Sequence, residues 1–387
     1  MNSSWKEVKL VDYYTISSGL SIGASEFGEG FPFLSFKEVF NNFFVPDKLT
    51  QLVKSNEKER INCSIKKGDV FLTRTSETIE ELGMSCVALK DYEEATFNGF
   101  TKRLRPKNTK DIDPIYIGFY LRSPQFRAEI TAYSSLITRA SLNNGNIQRL
   151  RILLPPLTTQ RKIASILSAY DDLIENNLKR IKLLEELAQR TYEEWFIKFR
   201  VKSEELKVDK ETGLPVGWAM KRLSYFFDVK TGKKDANYGT SNGQYPFFTC
   251  SQEPIKAPYY SFDGSAILLA GNGEFNVKIY RGKFEAYQRT YVLIPFDTIN
   301  ISILYRALKS NLKYLTGGSK GAVIKYLTKD MIENFEVIYP SKNILDEFNS
   351  ISLPIIAQTE TLLNQNLLLK EARDILLPRL MSGEIEV

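Results

Sequence analysis

The sequence predicts an α+β protein: two mixed α/β bodies in pseudo-twofold repeat, joined by two long helices that form an antiparallel coiled coil. Two observations carry that prediction. The 387-residue chain repeats itself in order, and each copy is followed by a long apolar seam, the first of them without Gly or Pro. At ~150 residues per domain the length accommodates two or three domains.

The repeat is visible without an alignment of relatives. Residues 131–155 slide onto 316–340 with no gap, a shift of 185 positions. Thr131/Thr316, Ser134/Ser319, Leu142/Leu327, Ile147/Ile332 and Pro155/Pro340 are identical. Ile147, Leu150, Ile152 and Leu154 fall on Ile332, Phe335, Val337 and Tyr339. The two copies also open alike, Trp5 and Leu10 against Trp218 and Leu223. From Trp to Pro the first copy spans 150 positions and the second 122, so about 28 extra residues are expected in loops of the first.

Inside each body the pattern is of short strands. Lys67-Gly68-Asp69 reads as a turn into the strand Val70-Phe71-Leu72-Thr73-Arg74, and Asp263-Gly264 as the same device before Ser265–Ala270. Phe275–Tyr280 continues as a strand, with a turn at Arg281-Gly282. Helices are predicted near 115–122 and 302–312.

After each body comes a long helix. Residues 157–200 contain no Gly or Pro. Ile163, Leu167, Tyr170, Ile174, Asn177, Ile181, Leu184, Ala188, Thr191 and Trp195 recur at steps of three and four, a seam facing another helix. About 40 such residues span ~60 Å at 1.5 Å each. Phe348, Ile351, Ile355, Leu362, Asn366, Leu369 and Leu376 form the second seam. There Pro354 is expected to kink the helix or delay its start, and Pro378 and Gly383 to mark its end. Asn177 and Asn366 both fall on seam positions, where a buried Asn costs stability but sets register.

Charge sorts the same segments. The chain has 52 Lys and Arg against 46 Asp and Glu, a net charge of +6. Residues 1–155 hold +3 and 218–340 hold +6, while helix 156–200, linker 201–217 and helix-plus-tail 341–387 together hold −3. Two basic bodies suit phosphate backbones, where released counterions favour Lys and Arg.

Catalytic chemistry finds little to stand on. With no histidine there is no Ser-His-Asp triad, no Cys-His dyad and no His-ligated metal, and no metal site is expected. Ala266–Gly273 imitates a nucleotide-binding strand and Gly-x-Gly, but a strand follows where a helix is required. No Asn-Pro-Pro-(Tyr/Phe) of an amino-methyltransferase occurs. Cys63, Cys86 and Cys250 are odd in number and scattered, and read as buried small side chains in a reducing compartment. The N-terminus lacks a signal peptide's apolar core, and no run approaches ~18 apolar residues. A soluble, cytoplasmic chain is expected, and any catalysis in it would fall to carboxylates, Lys, Tyr or one of the three cysteines.

Three motifs then point to one family. Leu154-Pro155-Pro156-Leu157, with Gln160, Ile163, Ala164 and the Asp171-Asp172 that follows, resembles the first conserved helix of type I restriction–modification specificity subunits. Glu211-Thr212-Gly213-Leu214-Pro215-Val216-Gly217-Trp218 is similar to that family's lead into its second target-recognition domain. Leu376–Ile385 is similar to its closing segment. Gly68-Asp69-Val70 and Ser319 with Ile324 match weaker family patterns. Two positions depart: the first body opens Ser3-Ser4-Trp5, and Pro340-Ser341-Lys342-Asn343 replaces the second Pro-Pro-Leu.

The resemblance implies two target-recognition domains, at 1–155 and 218–340, each reading one half of a split DNA site. It implies that helices 156–200 and 341–387 set the spacing and dock two modification (methyltransferase) subunits, with restriction subunits as further partners. S-adenosylmethionine, Mg and ATP are then expected on those partners and none in this chain. The DNA-facing residues chosen as lying in polar, basic loops are Arg74, Arg139 and Asn143 in the first body, and Lys278, Arg281, Arg289, Lys320 and Lys325 in the second. Arg forks to guanine O6 and N7, whereas Lys more often meets phosphate. The competing readings are a standalone methyltransferase or nuclease, and a coiled-coil adaptor.

Overall fold

The computed structural model describes residues 5–76, 81–108, 110–133, 135–136, 140–202, 204–317 and 326–387. The chain forms two compact units, Met1–Asn176 with Gln365–Val387, and Asn177–Asn364. Each unit therefore contains one body and a part of each long helix.

In the first unit, strand Lys6–Lys9 pairs antiparallel with Arg151–Leu154. Four strands, Tyr14–Ser18, Thr101–Pro106, Val70–Thr73 and Ser85–Val87, lie side by side in that order. Phe27–Leu34 sits between Gln51–Val53 and, in parallel, Thr96–Phe97. Helix Pro114–Tyr120 starts where its sequence says it should: Asp113 caps two backbone N–H groups and proline takes the first turn. Val70, Leu72, Leu104, Tyr116 and Phe119 fill the core with Ile163 and Leu167 of the first long helix and Leu377, Leu380 and Met381 of the second.

In the second unit, Ala219–Arg222 pairs with Glu336–Tyr339. A six-stranded sheet runs Lys230–Thr231, Thr290–Leu293, Phe262–Ala270, Val277–Ala286, Tyr245–Phe248, Ile255–Ala257. Helix Ile301–Gly317 packs its apolar face into a core with Ile267, Leu269, Leu293 and Phe348.

The sequence repeat is also a hydrogen-bond repeat. Leu10 N–H donates to Leu150 O, and Leu223 N–H to Phe335 O, both at 2.9 Å. Thr73 lies opposite Thr101 as Ala270 lies opposite Thr290. Phe33 and Leu34 pair in parallel with Thr96 and Phe97, as Phe247 and Phe248 do with Glu285 and Ala286. Most of the extra length of the first copy falls at one place. Leu34 to Val70 covers 36 positions, against 19 from Phe248 to Ile267. The additional chain is not all loop: it includes helices Phe36–Asn41 and Glu57–Asn62, each closed by a capping box.

The first long helix runs Leu157–Tyr192 and ends in a single π turn, Glu193–Ile197. The second runs Lys342–Met381. Within the first unit, Asp171 near the start of one helix is ion-paired with Arg373 near the end of the other. Within the second unit, Phe196 at the end of one meets Phe348 near the start of the other, ring centres 5.0 Å apart. The helices are therefore antiparallel.

Four expectations need correction. The second helix begins at Lys342, so Pro354 does not delay its start; burial of Leu345, Phe348, Ile355 and Ile356 on one face outweighs the lost backbone bond. Pro378 likewise lies inside it, and the stop comes at Gly383, φ +73°. Asp263-Gly264 and Arg281-Gly282 are not turns but mid-strand. Gly264 (φ +140°) faces Gly282 (φ +123°) across the ladder, a conformation that glycine permits and that mimics turn chemistry in sequence. Cys63 and Cys86 are buried, but Cys250 is only partly so, because its thiol sits 3.1 Å from Asn272 Oδ1 at a loop rim.

Candidate nucleic-acid interface

The motifs shared with the resembled family turn out to be structural supports. Gly68 takes φ +86° and delivers Asp69 into the core. There Asp69 Oδ1 and Oδ2 accept from Arg105 Nε and Nη2 at 2.8 and 2.7 Å, a two-pronged pair. Gln160, 1% exposed, clamps three backbone groups. Its Oε1 accepts from Asp113 N, and its Nε2 donates to Asp111 O and Pro155 O. The same place in the second copy, 185 positions on, is Leu345, also buried. Near the linker's end, Asp209 Oδ1 accepts from Glu211 N and Thr212 N, and Gly213 and Gly217 turn the chain at positive φ into Trp218.

Above those supports, each unit presents one recurrent strand-end construction. In the first, strand Val70–Thr73 ends at Arg74. Arg74 N–H donates to Phe100 O at 3.0 Å, and Leu142 N–H donates to Arg74 O at 2.8 Å. In the second, strand Phe262–Ala270 ends at Gly271. Gly271 N–H donates to Arg289 O at 2.8 Å, and Leu327 N–H donates to Gly271 O at 2.8 Å. Arg74 thus corresponds to Gly271, and Phe100 to Arg289.

The side chains at these matching places differ. In the first unit Arg74 is half-buried beside Lys102, whose ammonium donates to Ser18 Oγ at 2.9 Å. Burial, then the Arg74 charge, lowers the Lys102 pKa. Phe100 stands 57% exposed on a tight turn held by Asn98. In the second unit glycine leaves the strand end open. A pocket of about 440 Å³ lies there, lined by Gly271, Asn272, Gln288, Arg289, Tyr291, Tyr326 and Leu327. Glycine is required: a Cβ at 271 would lie 2.7 Å from Arg289 O and 2.8 Å from the Tyr291 ring.

The residues chosen from sequence fall into three groups. Arg74 and Arg289 belong to the strand-end constructions just described. Asn143 is the N-cap of helix Asn144–Ile147, its Oδ1 accepting from Asn146 N; Thr328, 185 positions on, caps Lys329–Glu333 in the same way. Lys278 and Arg281 lie on strand Val277–Ala286 rather than in loops. Lys278 Nζ donates to Ser251 O and Asn276 Oδ1, both at 2.6 Å, and burial lowers its pKa. Arg281 lies 3.5 Å from Glu360. Arg139, Lys320 and Lys325 lie outside the described residues. Sequence reasoning missed Lys102, Phe100, Asn272 and Gln288. Lys102 alternates with the structural Arg103 and Arg105 along one strand, which was a usable signal; the others carry none.

Among the described residues, no group of His, Cys, Asp or Glu is disposed to hold a metal ion. Nor is any helix there long and apolar enough to cross a membrane.

Comparison with known proteins gives a consistent picture. A family model described as "Type I restriction modification DNA specificity domain" matches residues 2–186 and again 215–365, one match per copy. The chain is 40% identical over 176 residues to the type I restriction enzyme EcoDI specificity subunit of Escherichia coli, covering 44% of this chain and 39% of that one. It is 28% identical over 365 residues to the type I restriction enzyme MjaIX specificity subunit of Methanocaldococcus jannaschii, covering 86% and 81%. The fold is like that of the type I restriction–modification S subunit from M. genitalium, TM-score 0.57 at 15% identity, over 98% of this chain and 97% of that one.

Proposed function

This chain belongs to the type I restriction–modification DNA specificity family, and on that premise we propose how its two copies do their work. Each copy is a target-recognition domain that reads one half of a bipartite site in double-stranded DNA. The observation that carries this reading is the duplicated strand-end construction. The same backbone hydrogen bonds hold different side chains at equivalent places, Arg74 and Phe100 in one copy, Gly271 and Arg289 in the other. A shared scaffold with changed tips is what two readers of two different sequences require. Lysines and arginines around them grip phosphates, and the net charge of +9 on the two bodies supplies the sequence-independent part of binding.

The long helices serve the assembly. Each has a buried seam, yet Leu178, Leu183 and Leu187 on the first, and Leu367, Leu368 and Ile375 on the second, are more than half exposed. Such apolar surface on otherwise charged helices suits docking of partner chains. Two modification subunits are the proposed occupants, with restriction subunits joining them. S-adenosylmethionine, Mg and ATP belong, in this reading, to those partners. The chain itself is non-catalytic and works in the cytoplasm, where the DNA is.

The test is a duplex-binding titration at several salt concentrations, with and without the modification subunit. Specific binding that needs the assembled complex and weakens steeply with salt is the expected result. Methyl transfer from S-adenosylmethionine by the purified chain alone would overturn it in favour of a self-contained methyltransferase.

A further inference from the structure

The hydrogen-bond repeat makes a residue-level assignment possible, resting on the reading that each copy contacts its own half-site. Phe100 and Arg289 occupy one and the same position of the duplicated scaffold. Each is the residue whose carbonyl oxygen accepts from the strand-end residue, Arg74 N at 3.0 Å and Gly271 N at 2.8 Å. Each sits on a turn closed by the following threonine, Thr101 N to Asn98 O at 3.0 Å and Thr290 N to Tyr287 O at 2.8 Å. Those threonines lie opposite Thr73 and Ala270, matching positions of matching strands. The turn in the first unit is braced further, Asn98 Oδ1 accepting from Phe100 N at 2.7 Å.

Both side chains are exposed, and for Phe100 that is costly. Burying a phenylalanine ring is favourable, so a rigid turn that holds one 57% exposed forgoes most of that gain. Arg289 is exposed on the rim of the pocket. Rigid, outward and at equivalent positions, the two are built for contact with something outside the chain.

We propose that Phe100 and Arg289 are equivalent specificity-determining residues, Phe100 packing on a thymine methyl in one half-site and Arg289 forking onto a guanine in the other. The chemistry follows from the side chains. Phenylalanine has no donor or acceptor, and the one apolar group a base pair offers in the major groove is the thymine C5-methyl. The guanidinium matches guanine O6 and N7 together. The two half-sites therefore contain an A·T pair and a G·C pair at the corresponding position.

The experiment uses the complex of this chain with its modification subunit, and duplexes carrying the motif found by methylome sequencing. Replacing each thymine of the first half-site in turn by deoxyuridine removes only the methyl. One replacement is expected to weaken binding several-fold for the wild-type complex and to have no effect on the Phe100→Ala complex. Replacing each guanine of the second half-site by 7-deazaguanine removes only N7. One replacement is expected to cost about tenfold or more, and nothing further in the Arg289→Ala complex. Wild-type affinity that is indifferent to every analogue overturns the assignment. So does a scan in which every analogue that weakens the wild-type complex weakens the variant as much. The base-analogue arms on the wild-type complex hold even if a variant misfolds. No sequence-specific binding by the complex at all would instead overturn the half-site reading itself.

Discussion

At the scale of single residues, the side chains that the sequence marks as motifs and those proposed to read DNA do different work. Gln160 and Asp69 are legible as motif residues, yet the reason for them, three backbone groups clamped and one arginine held, appears only in three dimensions. Gln160→Ala leaves those groups buried and unpaired, and is expected to destabilise the first unit by about 1–3 kcal/mol in denaturant unfolding. Phe100 could not be found from sequence, because a phenylalanine beside a strand normally builds core. Arg281 was legible as a basic residue but misplaced, because the glycine that follows it imitates a turn.

Arg306 is fully buried, and its Nη1 and Nη2 donate to Glu185 at 2.8 and 3.1 Å. Lys309 adds a third donor at 2.6 Å. Burial pushes the Glu185 carboxyl up, but Arg306 and Lys309 together hold it below its ordinary value. A depressed carboxylate contributes stability above the unfolded pKa of about 4.3, and loses it as pH falls through the folded value. The second unit is therefore expected to lose stability in mild acid, and Glu185→Gln to flatten that dependence while costing about 3–5 kcal/mol near neutral pH. Thermal unfolding of both proteins across pH 3–7 checks both.

At the scale of elements, the helices were the most legible part. A three-and-four spacing, unbroken in the first helix, predicts their existence, and the structure adds antiparallel order from the ion pair Asp171–Arg373 and the ring pair Phe196–Phe348. Proline misled, because the seam's apolar burial tolerates Pro354 in mid-helix. The closing turns also repeat: Gly383 at φ +73° packs on Trp5, and Phe199 at φ +54° packs on Trp218. A few strands were legible, those near Val70–Thr73, Phe262–Ala270 and Val277–Ala286, but not the others nor their order. Pairings such as Lys6 with Leu154 join residues far apart in sequence, which local patterning does not encode. Asn177 and Asn366 are 6% and 5% exposed, as seam positions are. Replacing both by leucine is expected to leave the fold intact and loosen helix register. Cysteine cross-linking along the seams would then show one preferred pairing in the wild type and several in the variant.

At the scale of the whole molecule, the duplication organises everything else. The charge divides with it, +9 on the two bodies and −3 on the segments that join them. The absence of histidine excluded whole classes of chemistry from the sequence alone. The family match over 2–186 and 215–365 then divides along the same repeat. The central claim is that two readers are spaced by a helical ruler. The most direct measurement is methylome sequencing of a host expressing this chain with its modification subunit, beside a variant with four residues inserted in one long helix. Four residues add ~6 Å, roughly one to two base pairs of rise. The account predicts a bipartite motif whose two halves stay the same while the unread spacer lengthens. A spacer of unchanged length, or a motif with no spacer at all, would contradict it.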